Sequence, residues 1–218
     1  MSAPPALPAL YVICDEAVCA GAGWALPAFA AACVEGGARL VQLRVKTASS
    51  RRFFEMTCDI VSRTGRTGAQ VIVNDRADIA RMAGAAGAHV GQADLSPVDV
   101  RRVVGEKAIV GVSTHTAEQV RAALREPVSY IAIGPVFGTT TKDTGYSEVG
   151  LDLVREVAGI ASSRGIPLVA IGGITLDRAR AVLNAGADAV AVISDLLVTG
   201  DPAGRVRQFL ETLQQEQT

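Results

Sequence analysis

Short runs of β-forming, mostly apolar residues recur along the chain at 10–14, 39–43, 70–74, 88–91, 108–112, 129–133, 168–171 and 189–193. Their hydrophobicity is continuous rather than alternating, the pattern of parallel strands covered on both faces. Helical stretches separate them. One follows Ser50, carries Phe54, Cys58 and Val61 at i, i+4 and i+7, and stops near Gly65. Ser96-Pro97 and Asp201-Pro202 each supply an N-cap followed by a proline at the first helical position. Thr116 and Gln119 have capping-box spacing, and Thr175 is placed to cap the helix carrying Val182 and Leu183. The apolar stretch 24–34, ended by Glu35-Gly36-Gly37, is too short to cross a bilayer and reads as a core helix.

A weak internal echo supports the count. Gly37-Ala38-Arg39, Gly87-Ala88-His89 and Gly186-Ala187-Asp188 each close a helical run and open a strand, as a glycine at a helix C′ position does. Eight strands and eight helices, at about 27 residues per repeat over 218 residues, predict an α/β fold of the (β/α)8 TIM barrel type. The alternative is a doubly wound open sheet, but no Gly-x-Gly-x-x-Gly fingerprint follows the first strand. Residues 1–8, with Pro4, Pro5 and Pro8, read as a loose leader, and 9–218 as one catalytic barrel domain.

Charge narrows the range of partners. Lys and Arg number 21 against 22 Asp and Glu, a net charge of -1, so neither nucleic acid nor an anionic membrane is an expected partner. Aromatic residues make up only 4%, too few for base-stacking platforms. Positive charge is carried almost entirely by arginine; the lysines are Lys46, Lys107 and Lys142. No Lys or Arg precedes Arg39, so the N-terminus lacks the basic start of a secretory signal. Cys14, Cys19, Cys33 and Cys58 show no C-x-x-C pairing, which speaks against structural zinc and for reduced thiols in a cytoplasmic protein. Whether the chain forms a homo-oligomer stays open.

In such a barrel, chemistry sits where the strands end at the C-terminal face. Strand alternation sets Gln42, Arg44 and Lys46 on one side of the second strand. Asn74-Asp75 follows the third, Gly91-Gln92-Ala93-Asp94 the fourth, and Ser113-Thr114-His115 ends the fifth. The sixth runs through Gly134 to Thr139, Thr141 and Lys142, the seventh ends in Gly172-Gly173, and the eighth in Ile193-Ser194. Arg44, Lys46 and Lys142 suit an anion, and carboxylates from neighbouring strands suit Mg²⁺ bridging to a phosphate. Gly172-Gly173 before the next helix offers backbone N–H groups to a second phosphate. The residues therefore describe a Mg²⁺-dependent enzyme holding a diphosphate on one side and a monophosphate on the other.

Taken singly, each position also has a structural explanation. Asp75 could cap the next helix, Asp94 could close an Asx turn before Ser96-Pro97, and Gly172-Gly173 could allow a helix to pack closely. His89 and His115 have no acid or nucleophile partner in sequence and read as structural. What the structural explanation cannot cover is polarity at nearly every strand end at once.

The motifs resemble the thiamine phosphate synthase family. The matching pieces are Gln42-Leu43-Arg44-Val45-Lys46, Val73-Asn74-Asp75, the run from His89 to Leu95, the run from Gly111 to His115, Gly134 to Lys142, Ala170 to Ile174, and Ile193-Ser194. The resemblance implies condensation of 4-amino-2-methyl-5-pyrimidinylmethyl diphosphate with 4-methyl-5-(2-phosphooxyethyl)thiazole. It implies that Gln42, Arg44 and Lys46 meet the pyrimidine diphosphate, that Asn74 reads the pyrimidine, and that Asp75 and Asp94 hold Mg²⁺. It further implies that Ser113 and Lys142 contact the diphosphate, and that Thr139, Thr141, Gly173, Ile193 and Ser194 surround the thiazole phosphate. Arg44, Lys46, Ser113 and Lys142 are thus the expected catalytic groups. Gly138 and the stretch 143–148 depart from the family pattern, and 134–148 is the candidate lid. The rivals are a thiazole tautomerase of the same superfamily, against which Lys46, Asn74, Asp75, Asp94 and Lys142 speak, and a non-catalytic phosphate-binding barrel.

Overall fold

A computed structural model describes residues 7–138 and 145–214. Eight parallel strands close a barrel in sequence order: β1 (Leu10–Asp15), β2 (Leu40–Arg44), β3 (Gln70–Asn74), β4 (Gly87–Val90), β5 (Ile109–Thr114), β6 (Tyr130–Ile133), β7 (Leu168–Ile171) and β8 (Ala189–Val192). β1 pairs with β8, with Leu10 opposite Val190, and this pairing closes the ring. Among the described residues the helices are α1 (Glu16–Gly21), α2 (Leu26–Glu35), α3 (Ser50–Thr64), α4 (Ala77–Ala83), α5 (Pro97–Val104), α6 (Ala117–Ala123), α7 (Gly150–Ser162), α8 (Leu176–Asn184) and α9 (Pro202–Gln214). The predicted barrel is therefore present, with one more helix than the pattern of eight.

The strands are apolar throughout because they face two cores. Along β1, Leu10, Val12 and Cys14 point to the helical shell, while Tyr11 and Ile13 point into the barrel with Leu40, Ile72, Tyr130 and Val169. This two-sided burial removes the alternation that a half-solvated strand would show. The inward set also carries the polar positions, because Gln42, Asn74 and His89 are buried on the same side as Leu40 and Ile72.

Several local expectations need correction. The helix after the second strand includes Ser50 as its first residue and is capped by Ser49, whose hydroxyl accepts from Arg52 N at 3.3 Å. Its buried face is Phe53, Thr57, Ile60 and Thr64, one residue off from Phe54, Cys58 and Val61. Thr57 and Thr64 are tolerated there because their hydroxyls donate to the carbonyls of Phe53 and Ile60, at 2.7 and 2.8 Å. Thr175 makes no side-chain cap; Asp195 does that work, accepting from Leu176 N at 3.2 Å. The additional helix, α1, starts on Asp15, whose carboxylate accepts from Ala17 N and Val18 N. The glycine echo holds at Gly37 and Gly186, which have positive φ. Gly87 is already in β4, where a Cβ would lie 1.8 Å from Ile109 O. The Ser96 and Asp201 caps are as predicted, accepting from Asp99 N and Gly204 N.

Candidate active site

The polar strand ends meet at one mouth. Asp15, Gln42, Arg44, Asn74, His89 and Ser113 line a small cavity of about 50 Å³ at the barrel axis. Beside it lies a cavity of about 620 Å³, bounded by Ser113, Gly173, Ile193 and Ser194 and by Arg178 of α8. Ser113 borders both. The floor of the smaller cavity is a chain of buried hydrogen bonds. Gln42 Nε2 donates to the Tyr11 hydroxyl at 2.8 Å, and the Tyr11 and Tyr130 oxygens are 2.9 Å apart. Tyr130 is 2.8 Å from His89 Nδ1, and His89 Nε2 is 2.8 Å from Ser113 Oγ.

The cations are held by acids from the neighbouring strand. Arg44 forms an ion pair with Asp15, which is almost fully buried at the end of β1. Lys46 Nζ lies 2.5 Å from Asp75 Oδ2 and remains half exposed. Asp75 adopts φ of 63°, a left-handed conformation that Asp tolerates better than most residues but that still needs support. That support is the bond from Asp75 N to His89 O at 2.8 Å, which extends the β3–β4 pairing by one residue. Burial raises the Asp75 pKa, the Lys46 hydrogen bond lowers it, and the neighbouring Asp94 charge raises it again, for a net rise. Asp94 Oδ2 accepts from Gly91 N at 2.7 Å, so its carboxylate folds back onto the turn after β4 rather than forward toward Ser96-Pro97, and it lies close enough to Asp75 to act on it. Among the described residues no three His, Cys, Asp or Glu side chains converge as a metal cage. The neighbouring carboxylates of Asp75 and Asp94 are hard oxygen donors, the kind that suits Mg²⁺.

On the other side, Gly172 and Gly173 have φ of 102° and 61°. A Cβ on Gly172 would come 2.5 Å from Pro135 Cα, and one on Gly173 would come 2.7 Å from Gly138 O. Close packing of the segment after β6 therefore requires these glycines, whatever they bind. The Asp195 carboxylate, next to Ser194, is neutralised by Arg205 of α9 at 2.7 Å. This pairing leaves the Asp195 charge compensated beside Ser194. Arg178 donates to Gly173 O at 2.9 Å and lies over the Phe137 ring, 4.7 Å from its centroid.

The structure thus brings together Gln42, Arg44, Lys46, Asn74, Asp75, Asp94 and Ser113 around one part of the mouth, and Gly173, Ile193 and Ser194 around the other. Thr139, Thr141 and Lys142 lie outside the described residues, as does part of the candidate lid. Sequence reasoning missed Asp15, the two tyrosines and Arg178. Asp15 had a signal, being the first polar residue after an apolar strand; the tyrosines had none, since they read as core. Lys107, in the loop between α5 and β5, is exposed at the N-terminal rim of the barrel, away from the mouth.

Comparison with known proteins agrees with this geometry. A family profile described as thiamine monophosphate synthase matches residues 10–196. A thiamine-phosphate synthase of Koribacter versatilis is 46% identical over 210 residues, covering 95% of this chain and 96% of the relative. One of Chloroflexus aurantiacus is 39% identical, covering 92% and 90%. The solved structure of a thiamine phosphate pyrophosphorylase from Pyrococcus furiosus superposes with a TM-score of 0.82 at 29% identity, over 94% of both chains.

Proposed function

The chain belongs to the thiamine monophosphate synthase family, and from that membership we propose how its mouth performs the reaction. As a thiamine-phosphate synthase it joins 4-amino-2-methyl-5-pyrimidinylmethyl diphosphate to 4-methyl-5-(2-phosphooxyethyl)thiazole, giving thiamine monophosphate and diphosphate. The bond from the pyrimidine methylene to the diphosphate oxygen breaks, and its electron pair leaves with the diphosphate. The cation left behind is stabilised by the aminopyrimidine ring. The thiazole nitrogen lone pair then forms the new C–N bond. No general base is required, since the thiazole nitrogen attacks with its own lone pair, so the Ser113–His89 contact at 2.8 Å is not called on to activate a nucleophile.

The observation that carries this assignment of roles is the meeting of Lys46, Asp75 and Asp94 at one point. Two neighbouring carboxylates repel, and here a lysine already compensates one of them. Asp75 and Asp94 would hold Mg²⁺, which supplies charge neutralisation to the bound diphosphate. Gln42, Arg44 and Lys46 line the diphosphate side, with Asn74 at the pyrimidine. Ser113 and Lys142 stabilise charge that grows on the leaving group. Gly173, Ile193 and Ser194, with Thr139 and Thr141, take the thiazole phosphate. The larger cavity beside Ser113 supports two substrates lying side by side. All four cysteines are free thiols, three of them buried, which supports a cytoplasmic setting. Among the described residues no helix is long and apolar enough to cross a membrane.

Incubation with the thiazole phosphate alone tests this against its rival. A tautomerase isomerises that compound without a second substrate. The proposed enzyme leaves it unchanged until the pyrimidine diphosphate is added.

A further inference from the structure

The interior of the barrel holds more polar structure than the reaction itself demands. Tyr11, Tyr130 and His89 lie beneath the mouth, joining Gln42 on β2 to Ser113 on β5. The link from Tyr130 to His89 has to pass β5, because the paired positions run His89, Gly111, Tyr130 across β4, β5 and β6. It passes because the middle residue is glycine. A Cβ on Gly111 would come 2.1 Å from Tyr130 Cζ and 2.4 Å from its hydroxyl oxygen. The tyrosine ring therefore occupies the space above Gly111 and stacks on His89 with centroids 5.5 Å apart.

The protons in this chain can be followed in one direction. Gln42 donates its amide N–H to the Tyr11 oxygen. Tyr11 is buried, and the Tyr130 oxygen at 2.9 Å is where its own proton finds an acceptor. If Tyr130 donated to Tyr11 instead, the Tyr11 oxygen would accept twice and its proton would be left without an acceptor in the core. Tyr130, having accepted, donates to His89 Nδ1. The ring proton then sits on Nε2 and is donated to Ser113 Oγ. Ser113's own hydroxyl proton is left to point into the mouth.

We propose that Tyr11, Tyr130 and His89 are positioning residues that orient Ser113 as a hydrogen-bond donor to the departing diphosphate. The proposal rests on the placement of Ser113 at the diphosphate, but its first test does not. An acceptor-only leaving group gains nothing from a serine whose proton is turned back toward histidine. A donor already aimed at the growing charge requires no reorganisation as the bond breaks. Gln42 anchors the direction of the chain, so a residue on β2 sets the hydrogen bonding of a serine on β5.

The other histidine gives an internal reference. His115 Nδ1 is 2.6 Å from the Gly134 carbonyl, which can only accept, so its ring carries a proton on Nδ1. The chain has two histidines, and long-range ¹H–¹⁵N correlation on the histidine-labelled enzyme reads both. The expected result at pH 7 is a protonated Nε2 with a bare Nδ1 for His89, and a protonated Nδ1 for His115. A His89 ring protonated on Nδ1 would overturn the proposal whatever the enzyme's activity.

The functional arm uses Tyr130→Phe, with Tyr11→Phe in reserve should the first variant fail to fold. Either should give His89 a mixture of tautomers and lower kcat by about 10- to 100-fold, less than the about 100- to 1000-fold of removing an aimed donor outright because the serine itself remains. KM for both substrates should change little. In a Ser113→Ala background the same Tyr→Phe change should cost nothing further in kcat. Equal losses with and without Ser113 would contradict action through that residue and leave the tyrosines a packing role only.

Discussion

Lys46 Nζ lies 2.5 Å from Asp75 Oδ2, joining the residue just beyond β2 to the one just beyond β3. The lysine occupies the position at Asp75 where a bound cation would act, beside the Asp94 carboxylate. Asp75 is held there by a left-handed backbone and by its N–H bond to His89 O, features that a simple helix cap would not need.

Asp75→Asn and Asp94→Asn should each abolish Mg²⁺-dependent turnover. In calorimetry, both should lose the metal dependence of inorganic pyrophosphate binding. Lys46→Gln should weaken pyrophosphate binding while leaving that metal dependence in place. Metal dependence that survives in both aspartate variants would remove them from the metal site.

Lys142→Ala should lower kcat by about 100-fold or more, because its partner charge grows as diphosphate leaves. Steady-state kinetics with each substrate varied in turn checks this. A change confined to KM would make Lys142 a uniform binding residue.

Asp15→Ala removes a nearly buried ion-pair partner of Arg44 and both capping bonds to α1. The expected loss is about 3 kcal/mol, read as a lower urea midpoint at unchanged m-value. Arg44, no longer held, should also bind the pyrimidine diphosphate less well. A stability within about 0.5 kcal/mol of wild type would mean that the pair contributes little, as exposed pairs do.

Burial pushes the Tyr11 and Tyr130 phenols far above the ordinary tyrosine value. The folded state keeps both protons where the unfolded chain has released them, so stability is intact below about pH 10. Above that it should fall by up to about 1.4 kcal/mol per pH unit for each tyrosine. Phenolate absorbance from these two residues should therefore appear together with the loss of far-ultraviolet circular dichroism. Their titration in a protein still folded would contradict their burial.

Much of this was legible in the sequence because a closed parallel barrel leaves its strand ends as the one place where polarity is not needed for packing. Gln42, Arg44, Asn74 and Ser113 stood out against apolar strands and do meet around one cavity. What was not legible depends on partners from distant elements. Asp195 replaces Thr175 as the α8 cap because a short 3₁₀ turn after β8, Ser194–Leu196, carries its carboxylate to Leu176 N. The α3 face was misjudged by one residue because two threonines satisfy their hydroxyls on the preceding turn and so behave as core. Tyr11 and Tyr130 are apolar in a hydrophobicity pattern, and only the gap at Gly111 reveals that a hydroxyl is being carried across a strand.

The central claim is that one mouth joins two phosphorylated rings with loss of diphosphate. A rapid-quench experiment with both substrates saturating and Mg²⁺ present measures it most directly, by quantifying thiamine monophosphate and diphosphate in the same samples. Equimolar formation of the two products, requiring the metal and absent in Asp75→Asn, is the predicted result. No turnover by the wild-type enzyme, or diphosphate released without a matching amount of thiamine monophosphate, would contradict it.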